Sequence, residues 1–461
     1  MDITFLGAAE EVTGSCYLIK VGKHRILLEC GLVQGSHVDH KRNELPLPIP
    51  AEQIDAVVLS HAHIDHSGRL PLLGKLGFRG PIHTHHATQA LCEIMLHDSA
   101  YLQEKDAEWE NKKRRRKGLP DIAPLYTRED AAAILSQFQG LEYDRRTEIL
   151  PGIEVRFNDA GHILGSGIVE LWLHEGERTF KIAFSGDLGY SDAPVMDDPA
   201  RVTEADLVMM ESTYGDRRHR SFDETLEELT DIFLQASEHR GNILIPAFAV
   251  GRTQDLLYLM EQNFDRWKLD RWQIYLDSPM AIEATDVYAR YRALYGAQLF
   301  RKGPGARPVL PNFTETRTSE ESMQLNDIES GAIIIAGSGM CTGGRILHHL
   351  KHNVWKPSCH VVIVGYQARG TIGRRLVEHA HHIRLWHEAI RVNANVHTVG
   401  GLSAHADQAG LLEWYGTFES RPALVLVHGE PHSQQALAGR LKTLYGIDAH
   451  IARFEECREL V

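Results

Sequence analysis

His61-Ala62-His63-Ile64-Asp65-His66 puts four metal-competent side chains into six positions. The run follows Asp55-Ala56-Val57-Val58-Leu59-Ser60, an apolar β-type stretch, which predicts a loop leaving a buried strand. Alternate residues on a tight loop face different ways, so one ion cannot collect all four. His61 and His63 suit one cation, while Asp65 and His66 turn toward a second. A metal site is the reading this composition supports.

Further candidate ligands occur where other apolar strands end. The stretch 155–158 runs into Asp159-Ala160-Gly161-His162, 181–185 into Gly186-Asp187-Leu188-Gly189, and 423–427 into His428-Gly429-Glu430. Each is weak alone, because a strand-end Asp is commonly a turn-former. Beside the histidine run they gain weight. Zinc takes about four ligands, and His162 with a bridging Asp187 completes the set begun by His61 and His63. Asp65, His66, the shared Asp187 and His428 complete a second.

Composition bounds the rest. At 461 residues and 43% hydrophobic, the chain can bury a large core and fits two or three domains. No apolar run reaches membrane-spanning length, and Met1-Asp2-Ile3-Thr4-Phe5 lacks the layout of a signal peptide. Six scattered cysteines without a CxxC pair read as reduced thiols, which points to the cytoplasm. A formal charge of −13 gives no global attraction to nucleic acid, so a polyanion would need local basic surface, backbone amides or metal ions.

The order of elements predicts an α/β chain. Residues 1–31 read as a glycine-broken antiparallel meander, and 168–174 with 179–185 as a hairpin. Interleaved with outer helices, they suggest an αββα sandwich. From about Ala205 strands at 207–210, 242–246, 273–276, 332–336 and 360–364 alternate with helices, the rhythm of a parallel sheet. Near Val396 short loops return, then a strand and a final helix. One domain with a second inserted is the expected organisation.

The His-Ala-His-Ile-Asp-His run, His162 and Asp187 in Ser-Gly-Asp together resemble the metallo-β-lactamase signature. Glu211-Ser212-Thr213-Tyr214-Gly215, Gly337-Ser338-Gly339-Met340, Leu402-Ser403-Ala404-His405-Ala406-Asp407 and Val427-His428-Gly429-Glu430 are similar to the motifs of its β-CASP nuclease family, in family order. The resemblance implies a metallo-β-lactamase domain over 1–205 and 396–461, with a β-CASP cap over 206–395 and the active site in the cleft. Glu211 and His428 match the RNA-directed branch, where DNA-directed members tend to carry Asp and Val. The chain starts at the first strand of the fold and ends soon after His428, which resembles a compact bacterial ribonuclease. One position departs: the family usually has Asp where Leu27-Leu28-Glu29-Cys30-Gly31 places Glu29. In relatives this acid orients the metal ligands, and here an extra methylene either shifts a ligand histidine or leaves the carboxylate elsewhere.

The function implied is a zinc-dependent ribonuclease acting on single-stranded RNA. Two zinc ions about 3.5–4 Å apart would lower the pKa of a shared water. Asp65 would orient or deprotonate the nucleophile, and His405, held by Glu211, would protonate the leaving 3′-oxygen. The products would be 5′-phosphate and 3′-hydroxyl ends. Ser338, Gly339 and Ser403 are candidates to bind substrate phosphate through backbone amides. The basic run 112–117 reads either as an RNA grip outside the cleft or as a solvated helix end, the second being favoured. His83, His85 and His86, and His348, His349 and His352, are expected on the surface or behind the ligands. Competing functions are hydrolysis of a small thioester or lactone, a DNA-directed nuclease, and a non-catalytic RNA-binding subunit. Endonuclease against 5′→3′ exonuclease mode stays open, as does a homodimer.

Overall fold

A computed structural model of the chain describes residues 1–35, 41–191, 193–295, 309–365, 367 and 370–461. The chain divides into two compact units, one built from 1–191, 198–218 and 405–461, the other from 192–197 and 219–404.

The first unit holds strands β1 (Asp2–Gly7), β2 (Cys16–Val21), β3 (His24–Leu28), β4 (Ala56–Val58), β5 (Ile82–His85) and β6 (Phe138–Leu141). It continues with β7 (Thr147–Leu150), β8 (Ile153–Asp159), β9 (Gly167–Glu175), β10 (Arg178–Phe184) and β11 (Leu207–Met210). The second unit contributes β12 (Ile243–Pro246), β13 (Gln273–Leu276), β14 (Phe313–Glu315), β15 (Ala332–Ala336), β16 (His360–Ile363), β17 (His382–Leu385), β18 (Glu388–Arg391) and β19 (Asn395–Thr398). β20 (Ala423–Leu426), β21 (His450–Ile451) and β22 (Cys457–Glu459) return to the first.

Two seven-stranded sheets make up the first unit, in the orders β22-β1-β2-β3-β4-β5-β6 and β21-β20-β11-β10-β9-β8-β7. They share one core. Phe5, Tyr17, Ile19 and Ile26 of the first sheet pack with Phe157, Leu171, Phe184 and Val425 of the second. Alternation along β9 explains the layering: Val169, Leu171 and Leu173 enter this core, while Ile168 faces the outer helices. On that outer face Ile168, Val208 and Leu426 pack against Leu411 and Tyr415 of helix Gln408–Gly416 and Leu437 of helix Pro431–Tyr445. Helix His86–Arg116 lies on β5 and β6 of the other sheet, which makes the αββα sandwich. Each large apolar side chain so buried is worth about 1.5–3 kcal/mol.

The second unit carries a six-stranded parallel sheet, β14-β13-β15-β12-β16-β19. β15 reads Ala-Ile-Ile-Ile-Ala without alternation because both faces are covered: Ile333 and Ile335 join one core, Ile334 and Ala336 the other.

One strand lies elsewhere than the sequence rhythm suggests. β11, read as the first of the parallel set, pairs in the sandwich between β10 and β20. Its buried, unalternating Leu-Val-Met-Met suits any doubly covered strand, so its own residues do not say which sheet receives it. The units accordingly change over at Arg218 and His405, where the sequence rhythm shifts near Ala205 and Val396. Among the described residues no helix is long and apolar enough to cross a membrane.

Candidate metal centre

β4 delivers the histidine run to the rim of the sandwich, where the neighbouring main chain clamps it. The amides of Ser15 and Cys30 donate to the carbonyls of Asp65 (2.9 Å) and His66 (2.8 Å), and Leu32 donates to Ile64 (2.9 Å). Gly31 is required by this approach, because a Cβ there would stand 1.6 Å from the Asp65 carbonyl oxygen. Gly189 plays the same part between two other loops: its Cβ would fall 1.9 Å from the Gly161 carbonyl oxygen, so only glycine lets the Asp187 and His162 loops meet.

His61 Nε2 and His162 Nε2 face His63 Nδ1 at 3.1 and 3.2 Å. His66 Nε2 faces His428 Nε2 at 3.2 Å, and Asp65 Oδ2 lies 3.5 Å from that His428 atom. Asp187 stands between the groups. Its Oδ2 is 3.4 Å from His61 Nε2 and 3.5 Å from His162 Nε2, and its Oδ1 is 3.3 Å from His66 Nε2. The donors form one set of His61, His63, His162 and Asp187 and another of Asp65, His66 and His428.

The outer partners fix which nitrogen is offered. Ser60 Oγ bonds His61 Nδ1 at 2.9 Å, and Thr213 Oγ1 bonds His428 Nδ1 at 3.1 Å. Glu29 lies against His66 Nδ1 at 2.5 Å while accepting from the amide and hydroxyl of Ser60 at 2.6 and 2.8 Å. A carboxylate only accepts, so Nδ1 of His66 carries the proton and Nε2 presents a lone pair. The longer Glu29 side chain therefore reaches His66, one of the candidate ligands. Ser60 and Thr213 escaped the sequence reading, and their only signal is a hydroxyl bordering a ligand or a family motif. His428 holds a left-handed backbone, φ 49°, with its amide donating to Ala8 O at 2.7 Å. Strain of this kind gathers at functional sites.

Electrostatics match the geometry. Burial pushes His61 down to about 3 and His63 to about 4, and takes His162 well below its usual range, so all three stay neutral. Burial would raise Asp65 and Asp187, but the facing imidazoles outweigh it, His66 and His428 foremost, and hold both ionised. His66 is raised well above its ordinary value: burial opposes the charge, yet Asp187, Asp65 and Glu29 overcome it, so its Nε2 offers a lone pair only where a cation displaces the second proton. Converging lone pairs, ionised acids and a buried Asp187 Oδ1 with no hydrogen-bond partner are what a cation would satisfy. The residues fit a metal cofactor.

Beside this set, Glu211 Oε1 accepts from the Leu188 amide at 2.7 Å, and its two oxygens lie 3.1 and 3.2 Å from His405 Nδ1. Burial lowers the affinity of His405 for a proton, but Glu211, then Asp187, raise it to about 9. Bound cations would draw that value back down.

Ser338 Oγ accepts from the amides of Thr342 and Gly343 at 2.9 and 3.3 Å and so builds its own turn. Gly339 packs on Phe248, and Ser403 is buried two residues before His405. His83 and His85 are interior residues of β5, a correction to the surface expectation. His85 stacks on Tyr143 with centroids 4.0 Å apart. His348 and His352 are exposed, but His349 is wholly buried and meets Asp277 Oδ2 at 2.6 Å.

Known proteins carry the same frame. The metallo-beta-lactamase superfamily matches residues 9–247, the Beta-Casp domain 253–376 and the Zn-dependent metallo-hydrolase RNA specificity domain 389–452. A ribonuclease from Thermus thermophilus is 39% identical over 99% of both chains. A transcription termination factor, FttA, from Methanosarcina mazei is 32% identical over 93% of this chain and 67% of its own. A crystallised protein of unknown function from Enterococcus faecalis shares the fold, with a TM-score of 0.50 at 14% identity over 99% of both chains. With the family match spanning over half its length, this chain belongs to the metallo-β-lactamase superfamily and, within it, to the β-CASP family.

Proposed function

We propose that this chain, a metal-dependent nuclease of the β-CASP family, hydrolyses single-stranded RNA with two zinc ions and leaves 5′-phosphate and 3′-hydroxyl ends. The observation that carries the reading is Asp187, whose two oxygens face two separate donor sets, Oδ2 toward His61 and His162 and Oδ1 toward His66. His61, His63 and His162 would hold one ion, Asp65, His66 and His428 the other, and Asp187 both. The ions would supply Lewis-acid charge for the phosphoryl oxygens and a water acidified toward neutrality.

The chain's own groups do the rest. Asp65, kept ionised, orients the attacking water and accepts its proton. Glu211 holds the His405 ring by Nδ1, leaving Nε2 to protonate the leaving 3′-oxygen. Attack by water instead of the 2′-hydroxyl puts the phosphate on the 5′ end of the downstream fragment. The relatives described as a ribonuclease and a termination factor, and the RNA specificity domain, favour RNA over DNA or a small ester. Free cysteines suit the reducing cytoplasm, where we place the protein.

The test uses 5′-labelled single-stranded RNA and the matched DNA, with and without chelator, on wild type and His63→Ala. Metal-dependent cleavage of RNA to 3′-hydroxyl ends, lost in the variant, is expected. A 2′,3′-cyclic phosphate, equal DNA cleavage, or thioester hydrolysis without RNA cleavage would overturn the reading.

A further inference from the structure

Helix His86–Arg116 runs 31 residues, roughly 46 Å. Its first turn belongs to the metal-bearing rim, since Thr88 Oγ1 donates to the carbonyl of Gly165 in the His162 loop at 2.6 Å. Its far half is different. Ala100 and Ala107 are buried on the inner side, whereas Tyr101 and Trp109 are 44% and 53% exposed. At 3.6 residues per turn, Tyr101, Lys105, Trp109, Lys112 and Arg116 fall within an arc of about 80°, opposite the buried alanines. Aromatic rings and cations alternate along one outward face.

The charges on this face are arranged for an anion. Lys113 Nζ sits 3.0 Å from the Trp109 ring centroid, and Lys105 Nζ is 5.8 Å from that of Tyr101. Arg115 is tied to Asp121, Arg114 to the Pro120 carbonyl and Lys105 to Glu108. Lys112, Arg116 and Lys117 form no ion pair among the described residues. In a chain of net charge −13, six consecutive cations at residues 112–117 are a local exception. Five large apolar side chains, Tyr101, Leu102, Trp109, Leu119 and Ile122, are exposed around them.

We propose that this face is a second binding track for single-stranded RNA, remote from the metal centre, with bases stacked on Tyr101 and Trp109 and phosphates on Lys112 and Arg116. The assignment rests on the ribonuclease reading. Charge complementarity selects a polyanion, and exposed aromatic rings select one with unpaired bases. Tyr101 lies about 22 Å along the helix from its first turn and Arg116 about 45 Å. At 3.4 Å per stacked nucleotide, the track begins roughly seven nucleotides from the rim and ends roughly thirteen away. A short RNA fills the metal centre alone; a long one reaches both.

The experiment compares wild type, Lys112→Glu/Arg116→Glu and Trp109→Ala on a hexamer and a 30-nucleotide single strand. Cleavage is measured on RNA, and binding by anisotropy of a labelled 2′-O-methyl 30-mer. Both variants should cleave the hexamer like wild type and bind the 30-mer at least about tenfold more weakly. The charge-reversed variant should also lose about 1.4 from the slope of log Kd against log salt, two phosphate contacts at about 0.7 each. Unchanged 30-mer affinity and slope would overturn the track while wild-type hexamer cleavage kept the ribonuclease reading intact. A change in sedimentation without a change in RNA affinity would make the face a protein-docking surface instead. Wild type that neither cuts nor binds RNA would remove both ideas at once.

Discussion

Glu29→Gln keeps the side chain's length and changes only what it can accept. Three donors converge on the two oxygens of Glu29: the Ser60 amide at 2.6 Å, the Ser60 hydroxyl at 2.8 Å and His66 Nδ1 at 2.5 Å. An amide has one accepting oxygen, so its NH2 group must face either the Ser60 amide or His66 Nδ1. The first orientation sets two donors 2.6 Å apart. The second moves the imidazole proton of His66 to Nε2, the atom offered toward Asp187 and His428. Losing one charge-assisted hydrogen bond at a buried site costs about 1.5–3 kcal/mol, or roughly 10- to 150-fold in an equilibrium constant. Outer partners of metal ligands show losses of similar size. Glu29 meets His66 directly and His61 only through the Ser60 hydroxyl, so the loss should fall chiefly on one ion of the two. Titration with a competing chromophoric chelator, with metal content by mass spectrometry, reads both affinities. One ion weakened by about tenfold or more beside one unchanged is expected. Two unchanged affinities would refute the assignment of Glu29 as the anchor of His66.

Three further outcomes follow. His405→Ala should lower RNA cleavage by about 10²- to 10⁴-fold, yet match wild type on bis(p-nitrophenyl) phosphate, whose leaving group needs no proton; equal losses on both would remove the acid role. Gly31→Ala should yield chain with less than one metal per molecule, because its Cβ would stand 1.6 Å from the Asp65 carbonyl oxygen. Burial would raise Asp277, but bonds from His349, Ser322 and Thr316 hold it down to about 2, below its ordinary 3.8. The group then stabilises the fold above about pH 4 and loses that contribution as pH falls toward 2, about 2 kcal/mol in all. The stability gap between wild type and Asp277→Asn, by urea unfolding, should narrow over that window, and a constant gap would contradict it.

How far the sequence speaks depends on how locally the information lies. The six-residue histidine run and the strand-end positions of His162, Asp187 and His428 were legible because apolar strands and the polar residues just past them adjoin in the chain. The parallel sheet was legible through its unalternating runs, as in β15. Long-range pairing was not. β11 meets β20 more than two hundred residues away, and nothing in Leu-Val-Met-Met chooses the sandwich over the parallel sheet. Asp277 and His349 meet across 72 residues, so the histidine looked like one of a surface group. Whether Glu29 reached His66 depended on a side-chain path of about one methylene, finer than any pattern in composition.

In the proposed site a single carboxylate, Asp187, is shared by two metal ions. Anomalous diffraction at the zinc edge on crystals of the metal-loaded protein would locate both. Two peaks per chain about 3.5–4 Å apart, flanking the Asp187 carboxylate, are predicted. One peak, or two that do not share Asp187, would rule out a bridging Asp187.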